Sequence, residues 1–145
     1  MDENVSPTVF YAELAGAKTI ATEISISSNG ETVQLDGKWD TGAYMSCIPW
    51  SVVKALRLEP RGIENTHGTF DEVRAQNTYI VDLTITSGYT FKDLRVIGLP
   101  EDNPTDYALI GMDIISQGDF LISGYGGGMF SFRVPSTKSI SLSFI

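Results

Sequence analysis

The sequence contains little of the chemistry on which disulfide frameworks and zinc sites depend. Its 145 residues include one cysteine, Cys47, and one histidine, His67. A single cysteine excludes a disulfide within the chain and is typical of a reducing cytosol. Structural zinc sites commonly need four Cys or His ligands, so we expect no metal site. We also expect no other cofactor.

Positive charge and long apolar runs are scarce as well. Ten Lys and Arg residues stand against 18 Asp and Glu residues, which gives a formal net charge of −8. An acidic surface repels phosphate backbones and anionic lipid, so we expect neither a nucleic-acid partner nor a membrane partner. No stretch approaches the ~18 apolar residues of a membrane span. The opening MDENVSPTVF has neither the basic nor the apolar region of a signal peptide, so we expect a cytoplasmic protein.

The composition is that of one folded domain. Apolar residues make up 42% of the chain and charged residues 19%, which is ordinary for a globular protein. No linker, low-complexity segment or tandem repeat divides the sequence. We therefore expect a single domain over residues 1–145.

Short β-segments with turn residues between them dominate the sequence. Residues 19–27 read TIATEISIS, with apolar residues at period two, and the Asn29-Gly30 pair that follows predicts a hairpin turn. The other predicted strands are 9–14, 32–35, 78–86, 90–97, 120–122, 129–134 and 139–144, with a glycine turn at 126–128. Helix is predicted only at 49–56 and 113–117. The pattern indicates an all-β domain with two short helices.

One stretch carries a candidate active site. From Lys38 to Pro49 the chain reads KWDTGAYMSCIP, with Asp-Thr-Gly-Ala at the end of a strand, Ser46 three residues later and a helix after Ile-Pro. Further along comes ALIGMDII, in which Gly111 follows an apolar pair and precedes a helix. This combination resembles the retropepsin-like aspartic proteases, whose loop reads D-T-G-A/S-x-x-S/T and which carry an apolar-apolar-Gly segment near the end of the domain.

The resemblance implies a fold and an activity. The fold would be a closed β-barrel lobe with a hairpin flap, and the activity would be hydrolysis of peptide bonds in extended polypeptide without a metal ion. Asp40, Thr41 and Gly42 would form the catalytic motif. The Thr41 hydroxyl would hydrogen-bond to a partner loop, Gly42 would leave room for substrate, and Ser46 would tie the loop back onto itself.

The implied chemistry needs two carboxylates, but the motif occurs once. Two carboxylates ~3 Å apart share one proton, so one can act as a base and the other as an acid on the same peptide group. Asp113 is the candidate for the second carboxylate within the same chain, although in the family this position belongs to a helix behind the loop. A twofold axis instead pairs a residue with its own copy, so the sequence predicts a homodimer with an Asp40 dyad.

The same resemblance assigns a substrate cleft. Ala43 would line its floor, and Tyr44 and Met45 would form a more apolar wall than the acidic residues of the retroviral enzymes. Residues 63–76 lie where the family has its flap. His67, Gly68 and Thr69 are expected near the tip of this flap and in contact with substrate.

Three alternatives remain open. Cys47 and His67 could form a nucleophile pair, although Cys47 falls where the family has an apolar residue and is more simply a small buried side chain. Trp39 could pack in the core or narrow the site. Finally, the chain could be a catalytically silent peptide-binding or dimerisation module.

Overall fold

The structure, a computed structural model, describes residues 6–67 and 73–136. Ten strands, two short α-helices and one 3-10 turn lie within these ranges. The strands are β1 (Thr8–Glu13), β2 (Ala21–Ser28), β3 (Glu31–Trp39), β4 (Cys47–Ile48), β5 (Gly62–His67), β6 (Val73–Thr84), β7 (Thr90–Gly98), β8 (Ala108–Ile110), β9 (Asp119–Ser123) and β10 (Met129–Val134). The helices are α1 (Trp50–Ala55) and α2 (Met112–Ile115), and the 3-10 turn is Tyr125–Gly127.

A closed barrel of six strands forms the body of the fold. Its strand order is β2-β3-β8-β4-β7-β6, and β2 pairs again with β6 to close the ring, while β5 pairs with β6 outside it. Closure removes the free sheet edges that would otherwise offer unpaired backbone groups. The predicted all-β fold with a closed barrel and two short helices is therefore confirmed.

Local sequence explains the hairpins. Asn29 and Gly30 take positive φ values of 53° and 76°, as the turn between β2 and β3 requires. β5 and β6 pair from Gly62 opposite Thr78 to His67 opposite Val73. The described parts of the predicted flap segment, residues 63–67 and 73–76, lie in these two arms, which extend to Gly62 and Thr78. The glycines at 126–128 join β9 to β10, which pair antiparallel as predicted.

A three-stranded sheet in the order β1-β10-β9 packs against the barrel. Its inward residues, Phe10, Phe130 and Phe132, surround the Trp39 indole, whose ring centroid lies 5.0 Å from Phe130 and 4.8 Å from Phe132. The indole N–H donates to the buried Thr22 hydroxyl at 2.9 Å. Trp39 is therefore a core residue, and its polar atom is satisfied inside the core.

Several predicted boundaries are wrong. Helix α2 begins at Met112 with Gly111 as its N-cap, rather than beginning at Asp113. The short strands β4 and β8 were not predicted, because two- and three-residue segments carry no measurable period. The strand predicted at 139–144 lies outside the described residues. No helix in the described ranges is long and apolar enough to cross a membrane.

Candidate active site

The barrel brings the two sequence motifs side by side. β3 runs parallel to β8, with Trp39 opposite Ile110. The Asp40 N–H extends this ladder by donating to the Ile110 carbonyl at 2.8 Å. The loop that follows β3 and the helix that follows β8 therefore leave the same edge of the sheet as neighbours.

The Asp40 carboxylate is held at the start of its loop. Its Oδ1 accepts the Gly42 N–H at 2.8 Å, and its carbonyl accepts the Ala43 N–H at 3.2 Å. Asp40 is half-buried, whereas Thr41 and Gly42 are exposed. A Cβ on Gly42 would lie 3.2 Å from Oδ1, so a side chain there would crowd the carboxylate. The turn thus presents one oriented carboxylate and an open backbone edge.

Ser46 and Asp113 join the loop to helix α2. The Ser46 N–H donates to Asp113 Oδ2 at 2.9 Å, and its hydroxyl donates to Oδ1 at 2.7 Å. The Ser46 hydroxyl oxygen also accepts the Gly111 N–H at 3.0 Å. The prediction that Ser46 ties the loop back onto itself is therefore wrong: it ties the loop to the second motif. The expectation that Asp113 belongs to a helix supporting the loop agrees with this geometry.

Gly111 is required by close backbone contact. A Cβ at this position would lie 2.7 Å from the Ala43 carbonyl oxygen and 2.9 Å from the Met45 carbonyl carbon. The next residue, Met112, donates its N–H to the Ala43 carbonyl at 2.7 Å. Backbone therefore packs against backbone, and only a residue without a side chain fits between the two segments.

Tyr44 links the loop to the β5–β6 hairpin. Its hydroxyl lies 3.2 Å from Glu64 Oε1 and 3.1 Å from the Asn65 carbonyl. Desolvation, the hydrogen bond to Glu64 and the Glu64 charge raise the pKa of the Tyr44 phenol. The phenol therefore remains a donor at neutral pH.

The hairpin residues are only partly described. His67 lies exposed at the end of β5. Gly68 and Thr69 lie outside the described residues. The contact of this tip with substrate stays a prediction.

The surroundings of Cys47 do not favour a nucleophile. Burial, followed by the charges of Asp113 and Asp40, raises the pKa of the Cys47 thiol to about 11. The reactive form of cysteine is the thiolate, which a raised pKa suppresses at neutral pH. The thiol donates instead to the carbonyl of the half-buried Met45 at 3.6 Å.

A cleft of about 440 Å³ opens beside Asp40. Its lining includes Leu109 of the apolar pair before Gly111. It also includes residues to which the sequence assigned no role, namely Lys18, Lys38, Tyr107, Phe120 and Ile122. The Lys38 ammonium lies 3.9 Å from the centre of the Tyr107 ring. Lys38 could have been found from its position two residues before Asp40, because alternate residues of a strand share a face. Tyr107 and Phe120 come from distant segments and gave no such signal.

The residues of the described ranges do not form a cluster of three or more His, Cys, Asp or Glu side chains suited to a metal ion. What the arrangement offers is an oriented carboxylate at the surface, a braced loop around it and a cleft next to it. A lone carboxylate can act as an acid or as a base at a given moment, but it cannot do both at once.

A family model described as "gag-polyprotein putative aspartyl protease" matches residues 24–117, which is more than half of the chain. No curated protein sequence matches significantly. The matched region contains both motifs and the whole of the barrel apart from the first residues of β2.

Among solved structures, a retropepsin-like aspartic protease from Rickettsia conorii shares the fold, with a TM-score of 0.57 and 14% identity over 90% of this chain and 95% of that one. The simian foamy virus (mac) protease has a TM-score of 0.49 and 20% identity over 67% of this chain and 92% of its own. The EIAV protease, in complex with an inhibitor, has a TM-score of 0.47 and 21% identity over 69% of this chain and 88% of its own.

Proposed function

Because this chain belongs to the gag-polyprotein aspartyl protease family, we propose that it is an aspartic endopeptidase that hydrolyses extended polypeptide as a homodimer. The observation that carries the proposal is the placement of Asp40. Its carboxylate is oriented by the Gly42 N–H, is only half-buried, and borders the cleft. A substrate can therefore reach it.

The second carboxylate would come from another copy of the chain. Asp113 is a poor internal partner, because both of its oxygens already accept hydrogen bonds from Ser46. A twofold axis beside the exposed Thr41 would bring Asp40 against Asp40 of the partner subunit. Such an axis supplies the missing group without any further motif in the sequence.

Exposed apolar side chains on the three-stranded sheet support self-association. Val9 and Tyr11 of β1 and Leu121 and Ile122 of β9 are all exposed. Val9, Tyr11 and Leu121 share the outward face, since Tyr11 and Leu121 both pair with Ser131, whereas Ile122 pairs with the inward Phe130 and lines the cleft. Contiguous exposed apolar surface is typical of a protein interface.

The proposed reaction uses one proton shared by the two carboxylates. The ionised Asp40 accepts a proton from a water molecule as the water oxygen bonds to the peptide carbonyl carbon, and the protonated partner carboxyl donates to the carbonyl oxygen. The resulting diol then collapses. Its C–N bond breaks as the amide nitrogen takes the proton from Asp40 and one diol hydroxyl gives its proton to the partner carboxylate. This leaves a carboxylic acid, an amine and a dyad that again holds one proton.

The β5–β6 hairpin is proposed as the flap over the substrate. Its arm is bonded to the catalytic loop through Tyr44, so movement of the hairpin and position of the loop are linked. A cover of this kind excludes water and offers main-chain hydrogen bonds to an extended peptide.

The test is cleavage of a peptide library and of an unfolded protein between about pH 3 and about pH 7, a range chosen to span a raised dyad pKa. We expect the native protein to cleave and the Asp40→Asn variant to be inactive, since the amide cannot take the proton. The exposed strand residue Asp36 provides a matched control, Asp36→Asn, which should remain active. Circular dichroism and thermal unfolding would verify that both variants fold.

A mixing experiment tests the shared site. When an equal amount of Asp40→Asn is added to a constant amount of native protein and the subunits exchange, activity should fall to about half, because mixed dimers lack one carboxylate. Unchanged activity would contradict a dyad built across the dimer. Peptide binding without any cleavage would favour the silent binding module.

A further inference from the structure

We propose that the cleft beside Asp40 binds an acidic side chain of the substrate and that Lys38 selects it, so that the enzyme prefers aspartate or glutamate next to the bond it cleaves. This inference rests on the proposed function and adds a substrate class to it. It is carried by the position of Lys38, the charge of the cleft and the shape of its lining.

Lys38 points to the same face as the catalytic carboxylate. Along β3 Gly37 and Trp39 are buried, while Lys38 between them is only half-buried. Side chains two apart on a strand share a face, so Lys38 and Asp40 are directed to the same side. Both contribute to the lining of the cleft.

The distance along a peptide limits which substrate residue can enter this cleft. Asp40 would hold the water molecule at the scissile carbonyl carbon, and neighbouring Cα atoms of a chain are about 3.8 Å apart. A cleft whose wall includes Asp40 itself therefore receives a side chain from a residue at, or directly beside, the scissile bond. More distant residues of an extended substrate would lie beyond it.

The charge of the cleft favours an anion. Lys18 and Lys38 line it, and Asp40 is the single acidic residue among the described residues that do so. Two of the chain's ten cationic residues thus meet here, on a protein whose net charge is −8. Within the described ranges neither lysine takes part in an ion pair.

The lining also holds the Lys38 ammonium in place. The Tyr107 ring lies 3.9 Å from Nζ, so the ammonium rests against a π face that orients it without neutralising its charge. The ammonium keeps hydrogen-bond donors for a ligand.

The apolar part of the lining completes the site. Leu109, Phe120 and Ile122 can pack against the methylene groups of an aspartate or glutamate. A purely apolar substrate side chain would desolvate the ammonium without giving it a partner, which carries a free-energy cost. An acidic side chain avoids that cost and forms an ion pair in a partly dry site.

The experiment compares matched peptides with blocked termini that differ only in Asp or Glu against Asn or Gln on each side of the cleaved bond. We expect kcat/KM for the acidic peptides to be roughly fivefold to tenfold higher at low salt, a modest preference typical of a partly screened ion pair. Raising the salt concentration should reduce this ratio, since the screening length shortens. In Lys38→Met the ratio of acidic to amide peptides should fall to about one. In Lys38→Glu, peptides with Lys or Arg at the same position should be cleaved better than the acidic peptides.

Lys92 supplies the control. It is an exposed strand lysine outside the cleft, and Lys92→Met removes the same charge from the protein. This variant should retain the full preference. If Lys92→Met lost as much of the preference for acidic peptides as Lys38→Met, net charge rather than the cleft would set the selectivity. That result would overturn the inference.

A binding measurement separates this inference from the proposed function. Fluorescence anisotropy of the same peptides with Asp40→Asn reports affinity without turnover. Suppose that acidic peptides bind preferentially, that this preference depends on Lys38, and that the native protein never cleaves. This result would sustain the cleft assignment and refute the protease proposal. Cleavage without any preference for acidic residues would support the protease proposal and refute the cleft assignment.

Discussion

Asp113 holds Ser46 at two points, through the Ser46 N–H at 2.9 Å and the Ser46 hydroxyl at 2.7 Å. The serine oxygen in turn accepts the Gly111 N–H. A carboxylate on helix α2 thereby positions the loop that carries Asp40, although it is far from that loop in the sequence. Hydrogen bonds to a charged acceptor are stronger than neutral ones, so this contact is a main support of the loop.

Replacing Asp113 by Asn should loosen the loop. The amide offers one neutral acceptor oxygen where the carboxylate offers two charged ones, so the charge-assisted bonds to Ser46 are replaced by weaker ones. We expect the free energy of unfolding to fall by about 1–3 kcal/mol. Chemical denaturation measures this loss. Asp36→Asn removes the same charge from an exposed site and should change stability little; an equal loss in both variants would contradict a specific brace.

Adding a methyl group at Gly111 should separate the two motifs. In Gly111→Ala the new Cβ would meet the Ala43 carbonyl oxygen and the Met45 carbonyl carbon, and backbone atoms cannot move aside as a side chain can. We expect a loss of about 1–3 kcal/mol in stability, together with loss of cleavage. A Cβ on Gly124 would have no heavy atom within 4 Å, and the φ there is −83°, so Gly124→Ala is the matched control. Equal thermal shifts in the two variants would refute the packing argument.

Cys47 should be slow to alkylate at neutral pH. Its pKa is raised to about 11 from an ordinary value of 9.0, so little thiolate exists at neutral pH. The rate of iodoacetamide reaction with the folded protein should rise through pH 11, whereas the protein in denaturant should show a midpoint near the ordinary value. A folded-state midpoint near the ordinary value would contradict the burial of this thiol.

The same shift predicts a pH dependence of stability. A raised folded-state pKa means that the folded protein keeps its proton while the unfolded chain loses it. The contribution of Cys47 is therefore complete below pH 9.0 and is lost as pH rises to about 11. Cys47→Ala should lose less stability than the native protein across this window, and parallel curves would contradict the prediction.

Removing the Tyr44 hydroxyl should affect substrate binding more than folding. Tyr44→Phe deletes the contacts to Glu64 and Asn65 but keeps the ring, and the residue is 53% exposed. Stability should change by less than about 0.5 kcal/mol, as for most exposed substitutions. If the hairpin covers substrate, KM should rise a few-fold as its link to the loop is lost. Tyr125→Phe, at an exposed tyrosine remote from these contacts, should leave KM unchanged.

Much of the fold follows from local sequence. Period-two apolar patterns and Asn29-Gly30 predict most strands and one hairpin, because alternation and positive φ are decided by neighbouring residues. β4 and β8 escaped prediction because they are short and gain their stability from strands far away in the chain. The core position of Trp39 is confirmed. No local sequence pattern indicated the hydrogen bond from its indole N–H to the Thr22 hydroxyl.

The sequence by itself determined the candidate motif and the prediction of a second carboxylate, since both depend on residue types and on the number of Asp-Thr-Gly segments. Only the tertiary structure decided what surrounds Asp40. The parallel pairing of β3 with β8 brings Ser46 to Asp113, and barrel closure with the packed three-stranded sheet brings Lys38, Tyr107 and Phe120 around one cleft. Such contacts join segments distant in the chain, and their identity depends on how the whole barrel packs rather than on any local pattern.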